Sequence, residues 1–115
     1  MLDLIFVYGT LHPDRAPAEM RDIVEQLVPA GRATLRARIY RFQHYPALIL
    51  DAKAEAVEGA LFRVPNDALF AALDEYEGFM PDAHDNSLFI RKQVTVLLTS
   101  GQPEQAWVYE YAQAV

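Results

Sequence analysis

From Arg32 to Tyr40 the chain alternates with a period of two. Ala33, Leu35, Ala37 and Ile39 fall on one side, and Arg32, Thr34, Arg36, Arg38 and Tyr40 on the other. That is the pattern of a half-buried strand of unusual length, and its apolar side needs a partner layer. The chain is therefore organised around a sheet with one covered face. The three arginines on the polar side are read as a solvated face that pairs with local carboxylates rather than as an anion patch.

The remaining segments fit around this strand. Leu4 to Val7 are continuously apolar and run into Tyr8-Gly9-Thr10-Leu11-His12, a buried strand ending in a tight loop. Gly9 has no Cβ and exposes backbone groups, which suits a polar-ligand cradle and equally suits a plain turn. His12 to Ala16 read as loop. Pro17 then opens a helix with Met20, Ile23, Val24 and Leu27 as its buried stripe, and Pro29 and Gly31 stop it. Residues 43–50 are a turn-prone section leading to a short apolar strand. Pro46 biases Tyr45 toward an extended conformation, where it lines a cavity rim. Residues 57–64 form a strand in which Gly59 predicts close approach of another backbone or a bulge. Asn66 is the expected N-cap of a second helix, with Asp67 in its first turn. Leu69, Phe70 and Leu73 are its stripe, Tyr76 and Glu77 continue it, and Gly78 ends it. Residues 79–87 lack periodicity and read as a loop of lid size. A strand at 88–98, a turn at 100–103 and a closing strand at 105–111 complete the chain. Trp107, Tyr109 and Tyr111 share one side of that last strand, as wall or core. The order of strand, helix, three strands, helix and two strands predicts a compact α+β domain, residues 1–115, with a closed or strongly curled mixed sheet.

Composition narrows the function. The chain has 115 residues, 52% hydrophobic, with a formal net charge of -6. A negative field opposes binding to nucleic acid, which requires phosphate neutralisation. The absence of cysteine excludes disulfides, a thiolate nucleophile and thiolate metal ligands. The apolar runs are strand-sized, so no membrane span is expected, and a cytoplasmic protein without a targeting segment is the default reading. His12, His44 and His84 lack the close spacing of a zinc site, so no metal is expected. Neither Ser87 nor Ser100 sits in a nucleophile elbow, and there is no phosphate-binding glycine run. A carboxylate is left. Glu77 lies on the side of its helix that Leu73 buries, at the end where the helix dipole disfavours negative charge. A solvated helix-end residue and a general acid or base are both compatible with that position; only burial raising its pKa would favour the second.

Several stretches together resemble the gamma-glutamylcyclotransferase-like family, which includes the AIG2-like and YtfP-like proteins. They are Phe6-Val7-Tyr8-Gly9-Thr10-Leu11, Tyr45-Pro46-Ala47-Leu48, Val57-Glu58-Gly59-Ala60-Leu61-Phe62, Leu73-Asp74-Glu75-Tyr76-Glu77-Gly78, Phe89-Ile90-Arg91 and Ala106-Trp107-Val108-Tyr109, in this order over nearly the whole chain. The resemblance implies a mixed six-stranded barrel with flanking helices and a pocket beside the Tyr-Gly-Thr-Leu loop. It implies Glu77 as the essential glutamate, with Tyr8, Gly9, Thr10, Leu11, Tyr45 and Arg91 at the substrate. The implied reaction converts a small γ-glutamyl amide or γ-glutamylamine to 5-oxoproline and a free amine without cofactor or metal, a transferase or lyase chemistry carried out by a monomer or homodimer. Phe89 stands where the family commonly has tyrosine, and His12-Pro13-Asp14-Arg15 replaces a loop that usually carries glycine. Both changes bear on the leaving group. They also motivate two alternatives, a non-catalytic small-molecule-binding protein with the same pocket and an interaction protein using the aromatic row around Trp107.

Overall fold

The computed structural model describes residues 2–8, 18–42, 46–79 and 87–113. Its strands are β1 (Leu4–Val7), β2 (Val28–Arg41), β3 (Pro46–Leu50), β4 (Ala56–Arg63), β5 (Phe89–Leu98) and β6 (Pro103–Tyr111). They follow the order β3-β2-β4-β1-β6-β5, and a further pairing of β2 with β5 closes the sheet. Five strands thus form the barrel, and β3 lies outside it, attached to β2. β1 runs antiparallel to β4, with Phe6 opposite Leu61, and parallel to β6, with Ile5 opposite Trp107. The long alternating strand is the organiser: β2 pairs with β3, β4 and β5 along its length. On its polar side Arg38 pairs with Asp51 at 2.7 Å, and Arg36 donates to the Ala54 carbonyl, the local satisfaction expected of that face.

Period-two alternation divides the apolar residues between two cores. Leu4, Phe6, Ala33, Leu35, Ala37, Leu61, Val96, Ala106 and Val108 fill the barrel interior. Ile5, Val7, Ala60, Phe62, Phe89 and Tyr109 point outward and are covered by the helical residues Met20, Val24, Leu69, Phe70 and Leu73. Gly59 belongs to the inner set, and the Phe6 ring occupies the space where its side chain would stand. The close approach read from the sequence is therefore that of a ring and of the β1 backbone.

The first helix is shorter than its apolar spacing predicts. A 3-10 turn at Ala18–Met20 leads into a single α-turn, α1 (Arg21–Val24). Gln26 and Leu27 then bond back only three residues, to Ile23 and Val24. Met20, Val24 and Leu27 are nonetheless buried. Pro29 and Gly31, expected to separate helix from strand, lie within β2 at a bulge where Pro29 faces Phe62 and Gly31 faces Leu61. Gly31 has φ of 112°, which glycine adopts without strain, and this lets the strand continue past the proline.

The second helix, α2 (Asp67–Glu77), matches the sequence reading at both ends. The Asn66 side chain accepts the Leu69 N–H at 2.8 Å, and Gly78 closes the helix with φ of 69°. Removal of this cap by Asn66→Ala is expected to cost about 1 kcal/mol, as is typical of N-caps. Thermal unfolding followed by circular dichroism should register the loss as a fall of about 4 °C or more.

Candidate active site

The last turn of α2 carries Glu77 to the edge of the outer core. Gly78, in the left-handed conformation, bonds back to the Asp74 and Glu75 carbonyls and stops the helix there. No basic side chain occupies that turn, so the negative end of the helix dipole is uncompensated locally. Glu77 is half-buried, and burial pushes its carboxyl from 4.5 up to about 7.

Tyr8 stands opposite, directly after β1. Its hydroxyl donates to the main-chain carbonyl of Tyr109 at 2.8 Å, and the Leu48 backbone also hydrogen-bonds to it. Burial raises the Tyr8 phenol first, the Glu77 charge second, and the charge of Glu110 adds a smaller push. Glu77 and Tyr8 are therefore near neighbours electrostatically. Glu110 reaches the same end of the barrel from β6, where one carboxylate oxygen accepts the Leu50 N–H at 2.8 Å and the other meets Lys92 Nζ at 2.5 Å. This contact ties the outer strand β3 to β6.

Asp74, one turn before Glu77, is the second junction. Its Oδ1 accepts the Tyr109 hydroxyl at 2.6 Å. Arg91 Nη2 donates to its Oδ2 at 3.3 Å, while Arg91 Nε stands 3.0 Å from Oδ1 without hydrogen-bond alignment, an ionic approach rather than a fork. The guanidinium is held between the Phe70 and Trp107 rings, 4.4 and 4.6 Å from their centroids. Burial, followed by the Asp74 hydrogen bond and charge, raises the Tyr109 phenol strongly; Arg91 opposes this and Glu77 adds to it. A surface pocket of about 310 Å³ along this flank of α2 is lined by Asp67, Phe70, Asp74, Arg91 and Trp107, among others.

Of the residues singled out in the sequence, Glu77 and Tyr8 are coupled electrostatically. Arg91, expected at the substrate, has its charge engaged by Asp74. Gly9, Thr10, Leu11, Tyr45, the three histidines and residues 80–86 of the lid-sized loop lie outside the described residues. Among the described residues no cluster of three or more metal-binding side chains occurs, and no helix is long and apolar enough to cross a membrane. The aromatic row is wall and core: Tyr109 is buried, and Trp107 and Tyr111 pack on the outer core. Phe89 is buried with its edge toward the Tyr111 ring, 5.5 Å between centroids. The Asp74–Tyr109–Arg91 junction and the Glu110–Lys92 pair were not read from the sequence. The available signal was spacing: Asp74 and Glu77 are i and i+3 on one helix, and Arg91 shares the outward side of its strand with Phe89.

Comparisons agree with this architecture. The family model described as gamma-glutamyl cyclotransferase, AIG2-like, matches residues 5–115. No curated protein gives a significant sequence match. Among solved structures, an AIG2-like protein from Mus musculus superposes with a TM-score of 0.74 at 22% identity, over 99% of this chain and 80% of that one. An uncharacterised protein from Homo sapiens gives 0.72 at 17% identity, over 96% and 67%. A structure described as gamma-glutamyl cyclotransferase gives 0.67 at 15% identity, over 95% and 66%. At these identities the superpositions establish a shared fold.

Proposed function

The chain belongs to the AIG2-like gamma-glutamyl cyclotransferase family, and from that membership we propose that it converts a small γ-glutamyl amide or γ-glutamylamine to 5-oxoproline and a free amine, with Glu77 as general acid and base. The observation that carries this reading is the half-buried Glu77 carboxyl with its pKa raised to about 7, set beside Tyr8 at the end of β1. A general base works best when its pKa lies near the working pH.

The substrate α-amine is an ammonium at neutral pH and cannot attack until it loses a proton. Glu77 takes that proton. The freed nitrogen attacks the γ-carbonyl carbon of the same molecule, closing a five-membered ring and placing negative charge on the carbonyl oxygen. Glu77 returns its proton to the leaving nitrogen; as the charge on oxygen collapses the γ C–N bond breaks, and the second proton of the new ring nitrogen passes by way of Glu77 to the released amine, which departs as an ammonium and leaves Glu77 ionised again. No oxidant, reductant or further reactant enters. Since nucleophile and electrophile belong to one molecule, the remaining task is to hold the chain folded, which is catalysis by positioning. In this proposal the backbone N–H groups at Gly9, Thr10 and Leu11 hold the substrate carboxylate or the developing oxyanion, with Tyr45 at the rim. Arg91 enters as support for α2, because its charge is already matched by Asp74.

The test is release of 5-oxoproline from a broad panel of γ-glutamyl amides and amines. Turnover is expected on at least one member, with kcat/KM rising through a pKa near 7 as Glu77 ionises. Background rates across the panel would refute the activity. Binding of a panel member with no turnover over hours would identify a ligand-binding protein instead.

A further inference from the structure

We propose that Tyr109 and Asp74 are positioning residues that set the separation between Glu77 and Tyr8, Tyr109 acting as a shared anchor for both. Tyr109 makes two bonds in opposite directions. Its hydroxyl, on the outer side of β6, donates to Asp74 Oδ1 at 2.6 Å and so fastens the last turns of α2. Its main-chain carbonyl accepts the Tyr8 hydroxyl at 2.8 Å and so fastens the residue leaving β1. Glu77 follows Asp74 by three residues on the same helix, so whatever fixes Asp74 against β6 fixes Glu77 as well. Arg91, on β5, completes the attachment by pairing with Asp74 from the neighbouring strand, with its guanidinium immobilised between Phe70 and Trp107. The site is thereby referenced to a strand of the barrel rather than to the free end of a helix.

Packing contributes as well: beyond Leu73, Tyr76 and Phe79 rest on the outer core, Gly78 and Phe79 bond back to the helix, and Leu88 N–H bonds to the Gly78 carbonyl. Near the end of the helix, the Asp74 side chain bonds across to the barrel wall through both β5 and β6. A displacement of about 1 Å at a reacting group is enough to cost about 100-fold in rate. Among the described residues, the groups around Glu77 and Tyr8 that titrate or carry charge are Tyr109 and Asp74 with Arg91, and Glu110 with Lys92. Removing the Tyr109 hydroxyl leaves all the charges of this set in place.

The role in turnover rests on the cyclotransferase reading; the positioning itself is measurable without it. Tyr109→Phe is the direct test, with two readouts. The first is the titration of the Glu77 carboxyl, followed by carbon NMR in glutamate-labelled protein and assigned with Glu77→Gln. Released from its tether, Glu77 gains water, so its titration should move at least one pH unit down from the wild-type position. The second is steady-state kinetics on an active panel member, where kcat should fall 10- to 100-fold with KM within about threefold. A lower Tm with the Glu77 titration and kcat unchanged would overturn the proposal, while loss of activity in Glu77→Gln alone would leave the cyclotransferase reading standing. If no panel member turns over in the wild type, that reading fails and the titration alone decides the positioning. Should Tyr109→Phe not fold, Asp74→Glu disturbs the same junction from the helix side with its charge kept and is judged by the same two readouts.

Discussion

Glu77→Gln should lower kcat/KM by about 10²- to 10⁴-fold, the range for a positioned acid–base group, and should at the same time make the protein more stable at alkaline pH. Both effects come from the same burial. The folded-state pKa of Glu77 is raised to about 7 from an ordinary 4.5, so the folded chain holds a proton that the unfolded chain has released between those values. The protonated form's contribution to stability is complete below pH 4.5 and is lost as pH rises through 7. Above that, the wild type keeps a desolvated charge at the negative end of α2, at a cost of up to about 3 kcal/mol by linkage. Glutamine is neutral throughout. Denaturant midpoints of the two proteins should coincide near pH 4 and separate progressively toward pH 8, with Glu77→Gln the more stable. Equal midpoints at pH 8 would mean that the carboxyl is solvated and poorly placed to act as a base near neutrality.

Gly59→Ala is expected to have the largest effect on stability. A methyl group there would meet the Phe6 ring at 2.5 Å and the Val7 carbonyl oxygen at 2.7 Å. Phe6 is 1% exposed and Val7 is 3% exposed, so neither has free space to move into. Replacing glycine restricts the unfolded chain and favours folding by about 0.4–1 kcal/mol, but overpacking a filled core costs about 1–3 kcal/mol or more. Because one of the two clashes is with backbone, the upper end is expected, a net loss of about 2–3 kcal/mol in urea unfolding. Val7 precedes Tyr8, so the same displacement should also lower activity. Phe6→Leu, which removes ring atoms at the clash, should return part of the stability in the double variant.

The elements legible in the sequence were those whose cause is local. Asn66, the Leu69–Phe70–Leu73 stripe and Gly78 each act within one helical turn, and α2 follows at both ends. Strand alternation likewise assigns β2, β5 and β6 from neighbouring residues. The first helix is shorter than read because Met20, Val24 and Leu27 recur at helical spacing and are buried, yet only the single α-turn Arg21–Val24 joins them, with 3-10 and turn backbone on either side. Helical period does not distinguish these when the run is short and has no cap. That β3 lies outside a five-strand closure depends on the β2–β5 pairing, a contact between distant residues with no local signature. In the site, Glu77 was found by its position on a buried stripe. The Asp74 junction was not, because it joins three elements that are contiguous only after folding.

The division of the apolar residues into two cores has a consequence for how the site fails. Tyr8 packs with the barrel interior, whereas Glu77 is carried by the helical layer outside it. The pair therefore exists only while both compartments are intact. Detachment of α2 would leave a closed barrel with Tyr8 in place and nothing opposite it. An activity that depends on this pair would be lost at the first local opening, while the fold outlasts it.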